Sequence, residues 1–176
     1  MDYAPPRNLA ELSADCAACA ALCCVAPAFD KGEDFAIAKL PLTPCMHLQD
    51  NNLCRLHADL EDHGYPGCAR FDCLGTGQHV VQGLYGGADW RGNPALLADM
   101  AESYRRMQRI HEALQMLFLA ERLPLDEEQE IARLTLLRKL RPVDGWTPDS
   151  LAEAEASGLF TRVRETLATF RSALGG

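Results

Sequence analysis

Cys16-Ala-Ala-Cys19-Ala-Ala-Leu-Cys23-Cys24 places four thiols within nine residues, and Cys45, Cys54, Cys68 and Cys73 follow within the next fifty. No cysteine lies beyond Cys73. Thiolates are soft donors that suit zinc and iron–sulfur clusters. Buried spectator thiols explain one or two cysteines, but not eight gathered in one third of a chain. Disulfides, a vicinal Cys23–Cys24 bond included, belong to oxidising compartments. A redox C-x-x-C pair belongs beside a βαβ pattern, and none is legible here. The expected chemistry is metal or cluster ligation by Cys16, Cys19, Cys23, Cys24, Cys45, Cys54, Cys68 and Cys73. His47 and His57, two and three residues after a cysteine, are further candidates, either as ligands or as side chains that orient a thiolate.

Asn8 can cap a helix beginning at Leu9, and Pro27 must end it, so the first four thiols are expected on a helix running to about Cys24. Cys16, Cys19 and Cys23 then share one stripe. On an unbroken helix Cys16 and Cys23 lie about 10 Å apart along the axis. Thiolates on one zinc lie within about 4 Å of each other. Three readings stay open: a break near Leu22, a larger cluster that spreads its ligands, or two sites.

The elements that must position these thiols come next. Pro41 and Pro44 call for a looping path before Cys45. The Asp50-Asn51-Asn52 turn can fold a hairpin or knuckle that brings Cys45 to Cys54. Ala58 to His63 reads as a short helix ended by Gly64. Residues 75–92 form a glycine-rich strip without the G-x-G-x-x-G or Gly-Lys-Ser/Thr pattern of a phosphate loop. It serves either as a backbone passing close to a cluster or as a connector, and His79 to Tyr85 reads as a short strand.

From Asn93-Pro94 onward the pattern is helical. Leu96, Leu97, Met100, Tyr104, Met107, Ile110, Leu114, Leu117 and Phe118 recur at helical spacing up to Pro124. A second helix spans about Asp126 to Leu140, with acids early and bases late, as the helix dipole favours. A third stretch starts at Thr147-Pro148, is interrupted at Ser157-Gly158 and runs to about Leu174. Such helices can pack as a bundle. Arg105, Arg106 and Arg109 are expected to bridge to the acidic first half. His111 is expected to be a partly buried core residue, and Tyr104 plain core.

The net charge is −8, nearly all of it in residues 1–90. An acidic, thiol-rich half is a poor surface for phosphate backbones, so no nucleic-acid partner is expected. No apolar run approaches the roughly 20 residues of a membrane span. No basic and apolar leader opens the chain, so a cytoplasmic location, where thiols stay reduced, is the expectation. Residues 1–8, with Pro5-Pro6, read as a loose lead-in.

Cys16-x2-Cys19-x3-Cys23-Cys24, Pro44-Cys45, Cys54-Arg-Leu-His57 and Tyr65-Pro66-Gly67-Cys68-Ala-Arg70-Phe71 together resemble the YkgJ-type cysteine-cluster family, described as zinc- or iron-chelating. The family pattern is C-x2-C-x2-C-C, a later C, G-x-C-x-I-Y and R-P-x-x-C-R-x-F. This chain has one more residue before Cys23-Cys24, His57 where Tyr is usual, and Tyr65-Pro66 in place of Arg-Pro. The stretch from Phe71 to Arg91 is similar to the cysteine-rich region ahead of pentapeptide repeats in some actinobacterial proteins, although no repeat follows. The resemblance covers roughly residues 13–92 and implies a metal site. A flagellin lysine methylase shares the motif and is understood to carry an iron–sulfur cluster, which makes [4Fe-4S] the implied cofactor.

The resulting expectation is a mainly α protein. A cysteine-rich region with short irregular or β segments, residues 1–92, packs on a C-terminal helical bundle, residues 93–176. The function expected is iron–sulfur binding in redox chemistry or in modification of a protein or peptide partner. The alternatives are a zinc-stabilised interaction module without catalysis and a thiol-based redox or metal sensor.

Overall fold

The computed structural model describes residues 4–174, so Met1 to Tyr3 of the expected lead-in lie outside the described residues. The fold is mainly α. Among the described residues, the first half holds only short helical pieces between loops. These are 3-10 turns at Leu9–Leu12 and Cys16–Ala18, helix α1 at Leu22–Val25, helix α2 at Pro66–Arg70, and helix α3 at Thr76–Gln78. Two isolated antiparallel bridges, Phe29 with Lys39 and Leu48 with Cys54, pin the loops between α1 and α2.

The continuous helix expected from Leu9 to Cys24 is broken. Asn8 and Asp15 each cap a separate short turn with the side-chain oxygen, a local bond that competes with helix propagation. Cys19 is extended, and Ala21 sits in the left-handed region at φ 54. Tertiary bonds fix this path. Gln78 accepts from the Asp15 N–H and donates to the Ser13 carbonyl, and Gln82 donates to the Ala18 carbonyl. Two smaller expectations also differ. Residues 58–64 form turns rather than a helix. The stretch His79–Leu84 is a π-helical turn continuing α3, not a strand. His79, Val80 and Val81 are all buried and Gln82 and Gly83 both exposed, a block pattern that the period-two alternation of a half-buried strand would not give.

The second half follows the periodicity. Asn93 caps a 3-10 turn, Pro94–Leu96, that feeds helix α4, Leu97–Ala120. Helix α5, Glu127–Leu140, opens with a capping box between Asp126 and Gln129. Helices α6, Pro148–Ala156, and α7, Leu159–Thr169, are separated at Gly158, whose φ of 75 suits glycine. Helix α4 is the axis. It packs on α5, α6 and α7 and also on α1, α3 and the π-helical turn. Its fully buried Met100, Met107, Ile110, Leu114 and Leu117 join Leu22, Val25 and Val80 of the first half in one core. Each such side chain contributes roughly 1.5–3 kcal/mol by leaving water.

Among the described residues, Arg105, Arg106 and Arg109 make no ion pair with the acidic first half. All three converge on Glu155 of α6 at 2.7–2.9 Å, and Glu102 adds a partner within α4. No helix among the described residues is long and apolar enough to cross a membrane.

Candidate metal centre

The eight cysteines are all free thiols, and seven of them are partly buried. They fall into two neighbouring groups. The first gathers Cys16, Cys19 and Cys23 against Cys73. Glycine 77, one turn after Cys73, is the contact point: a Cβ at that position would run into the Cys19 sulfur. The break at Ala21 has a purpose here. It turns the Leu22 and Ala21 N–H groups onto the Cys19 sulfur. N–H donors favour the thiolate. Burial nevertheless pushes the Cys19 thiol up to about 11, with repulsion from Cys73 and Cys16 adding to it. Burial also raises Cys16, followed by the charges of Cys73 and Cys24.

The second group is built by the loops. The Cys45 N–H donates to the Cys24 carbonyl at 3.1 Å, which lays the Pro44-Cys45 segment alongside α1. The Leu48–Cys54 bridge brings Cys54 back beside it. Tyr65, buried, bonds to the ring of His47 at 2.8 Å and so brings the turn that carries Cys68 to the same place. Burial raises Cys68 to about 11, and the charges of Cys24, Cys45 and Cys54 add to the rise. Cys54 is raised by burial, while an N–H from Leu56 opposes it.

Cys23 and Cys24 form the seam. Their sulfurs are 3.8 Å apart. The two thiols share a hydrogen bond, which holds Cys23 well above its ordinary range and Cys24 below it. Among the described residues, no three Cys, His, Asp or Glu side chains stand close enough together to hold one ion as they are placed.

Around the thiols lie groups that the sequence did not flag. Lys39 is buried at 8% exposure and donates to the carbonyls of Val25, Leu40 and Thr43 at 2.9–3.1 Å. Burial lowers its pKa, and the charges of Cys45 and Cys24 oppose that. A lysine ahead of two prolines gives no sequence signal for such burial. Tyr104 of α4 is 5% exposed, and its hydroxyl has no hydrogen-bond partner among the described residues. Thr76, fully buried beside Gly77, has an unpartnered hydroxyl as well. Burial first, then the charges of Cys23, Cys73, Cys19 and Cys24, keep the Tyr104 phenol protonated. Trp90 donates to the Ala20 carbonyl at 2.7 Å and locks the loop between Cys19 and α1.

The histidines divide. His47 is engaged at both ring nitrogens, by Tyr65 at Nε2 and by Arg55 at Nδ1. That arrangement orients the Cys45 segment. His57 is exposed, its N–H on the Cys54 carbonyl. His111 is fully buried, not partly. Its Nδ1–H donates to the Leu74 carbonyl at 2.6 Å, and its Nε2 accepts from His79 Nδ1 at 3.0 Å. Burial holds both rings neutral, at about 3 for His79 and about 4 for His111. The pair fastens the residue after Cys73 to α4.

Among curated proteins, the chain is similar to "Uncharacterized protein YybG" of Bacillus subtilis (strain 168), at 41% identity over 140 residues. That stretch is 74% of this chain and 50% of the relative, so the chain spans about half the length of the curated protein it matches. No family model matches the chain, and no solved structure does.

Proposed function

We propose that this is a cysteine-ligated metalloprotein whose resident cofactor is an iron–sulfur cluster of the [4Fe-4S] type, acting in electron transfer or in modification of a protein or peptide partner. The observation that carries the reading is eight unpaired thiols within residues 16–73, where Cys19 has Cys73 and Cys16 as charge neighbours and Cys68 has Cys24, Cys45 and Cys54. The donor set fits the group. Thiolates are the ligands iron–sulfur clusters take, and N–H groups of Ala21, Leu22 and Leu56 already face two of the sulfurs. The unpartnered hydroxyls of Tyr104 and Thr76 fit it too, because sulfur anions would supply the acceptors those groups lack. A bound cluster supplies one-electron chemistry. The chain supplies ligands, donors and a partly dry wall. The resemblance to the YkgJ-type cysteine clusters supports the same choice.

A partner of protein or peptide character is suggested by the apolar rim of the second group. Met46, 65% exposed, lines an open groove there with Ile37, His47, Arg55, Leu56, His63 and Tyr65. The proposed location is the cytoplasm, where eight thiols stay reduced.

Zinc is the second reading, favoured by the break at Ala21. A straight helix would hold Cys16 and Cys23 too far apart for one zinc, and the chain between them is not a straight helix: Cys19 is extended and Ala21 left-handed. Anaerobic purification decides between the readings. Brown protein with a broad band near about 400 nm and iron matched by sulfide supports the cluster. Colourless protein with zinc replaces it with the second reading. Metal-free protein whose eight thiols all titrate would sink both and leave a thiol-based sensor.

A further inference from the structure

Resting on that metalloprotein reading, we propose that the eight cysteines make two centres divided at the Cys23–Cys24 peptide. Cys16, Cys19, Cys23 and Cys73 would form an inner centre that receives the Tyr104 hydroxyl, and Cys24, Cys45, Cys54 and Cys68 an outer one.

The division follows from the backbone. Successive residues on a helical turn point about 100° apart, so Cys23 and Cys24 on α1 face different neighbours. Cys73 is a charge neighbour of Cys19, and a Cβ on Gly77 would strike the Cys19 sulfur and stand 4.0 Å from the edge of the Tyr104 ring. Cys45 is hydrogen-bonded to Cys24 instead, and Cys54 and Cys68 are carried by the bridge and turn that pack on the Cys45 segment. The electrostatic neighbours agree. Cys19 feels Cys73 and Cys16, whereas Cys68 feels Cys24, Cys45 and Cys54. The division is not absolute, since the Cys24 charge also reaches Cys16 across the 3.8 Å seam.

The two centres differ in what offsets their charge. Four thiolates leave a net negative site even around a dication. On the outer side the Lys39 ammonium meets that charge. On the inner side no cation is placed by the described residues in the same way, and a neutral donor stands there: Tyr104, 5% exposed, its hydroxyl without an acceptor. A buried hydroxyl without an acceptor is uncommon in a finished core. Thiolate sulfur in the loaded inner centre completes it. Tyr104 is thus a positioning residue for the inner centre and touches only its ligands.

The test uses the full chain purified without oxygen, with metal counted by native mass spectrometry. Wild type is expected to carry two metal units, as ions or as clusters. Cys19→Ser and Cys68→Ser are each expected to keep one, and the double variant none. The helical circular dichroism of α4 to α7 confirms folding for each. Wild type with a single unit, or folded single variants that both lose everything, would overturn the division. For Tyr104, Cys68→Ser and Cys68→Ser/Tyr104→Phe are compared, each reloaded with cobalt(II). Equal cobalt content with a shifted sulfur-to-cobalt absorption band is expected, together with several-fold faster loss to a chelator. Identical bands and identical loss rates would remove Tyr104 from the centre. Metal-free wild type that refuses cobalt would fail the metalloprotein reading itself, a result distinct from either of these.

Discussion

Gly77 and Cys19 are fitted to each other: the space where a Cβ would project from residue 77 is filled by the Cys19 sulfur. Gly77 has no left-handed backbone to accommodate, so its reason for being glycine is this close approach. The glycine-rich strip thus does at one position what a connector would not. It lets the α3 backbone pass within touch of a thiol.

Gly77→Ala is therefore expected to push the Cys19 sulfur aside. Overpacking of this kind costs about 1–3 kcal/mol. On the proposed metalloprotein reading, metal content should fall with it, while Gly32→Ala, in open space without a left-handed backbone, should leave metal content unchanged. Thermal melting and metal counting check both. A Gly77→Ala protein with full metal and an unchanged midpoint would contradict the contact.

Lys39→Met is expected to strip three carbonyls, those of Val25, Leu40 and Thr43, of their donor. The bond to Val25 is buried, and leaving a buried acceptor unpaired costs about 1–3 kcal/mol. The same change removes the positive charge beside Cys24 and Cys45. Urea unfolding should show the loss, and alkylation by iodoacetamide should show slower reaction at Cys24, since thiolate there would lose its cation.

How much of this was legible beforehand depends on where the specifying interactions lie. Helices α4 to α7 were legible because their apolar periodicity and caps are local: Asp126 with Gln129, and Thr147 with Ser150, are written a few residues apart. The eight thiols were legible by residue type alone. Their path was not. Helix propensity favoured a continuous run through Cys16 and Cys19, and it lost to bonds from Gln78 and Gln82, more than sixty residues away. Tyr104 sat on the apolar stripe and read as core, which its ring is. The destination of its hydroxyl depends on α1 and α3 arriving beside α4, and no window of sequence holds that.

Acid is expected to loosen the α4–α6 contact through Glu155. Hydrogen bonds from Arg105 and then Arg106 hold its carboxyl at about 2, below the usual 4.5. Between those values the unfolded chain takes up a proton that the folded one refuses. The contribution is therefore complete above about pH 4.5 and is lost as pH falls toward 2. The side chain is 28% exposed, so solvent screening holds the effect to about 1 kcal/mol. Glu155→Gln should be less stable at pH 7, with a flatter stability profile between pH 4.5 and 2. Parallel profiles for the two proteins would refute the pairing.

On the proposed metalloprotein reading, removal of the metal is expected to loosen residues 13–73 while α4 to α7 hold. The loops of the first half are tied by two isolated bridges and a few side-chain bonds, whereas α4 carries a continuous buried face. Regions with few regular backbone bonds open at low free energy. Hydrogen exchange with and without chelator should show faster exchange confined to the first half. Uniform acceleration through α4 would show instead that the bundle depends on the metal.

The placement of Tyr104 bears on the order of events as the chain is made. The Cys16–Cys24 stretch leaves the ribosome first, since synthesis runs from the N-terminus. Its wall is completed only by Cys73, Gly77 and then α4, Leu97–Ala120. The earliest thiols thus wait longest for their partners: on the two-centre reading the inner group is complete only once Cys73 has been translated, and its Tyr104 wall only once α4 has docked.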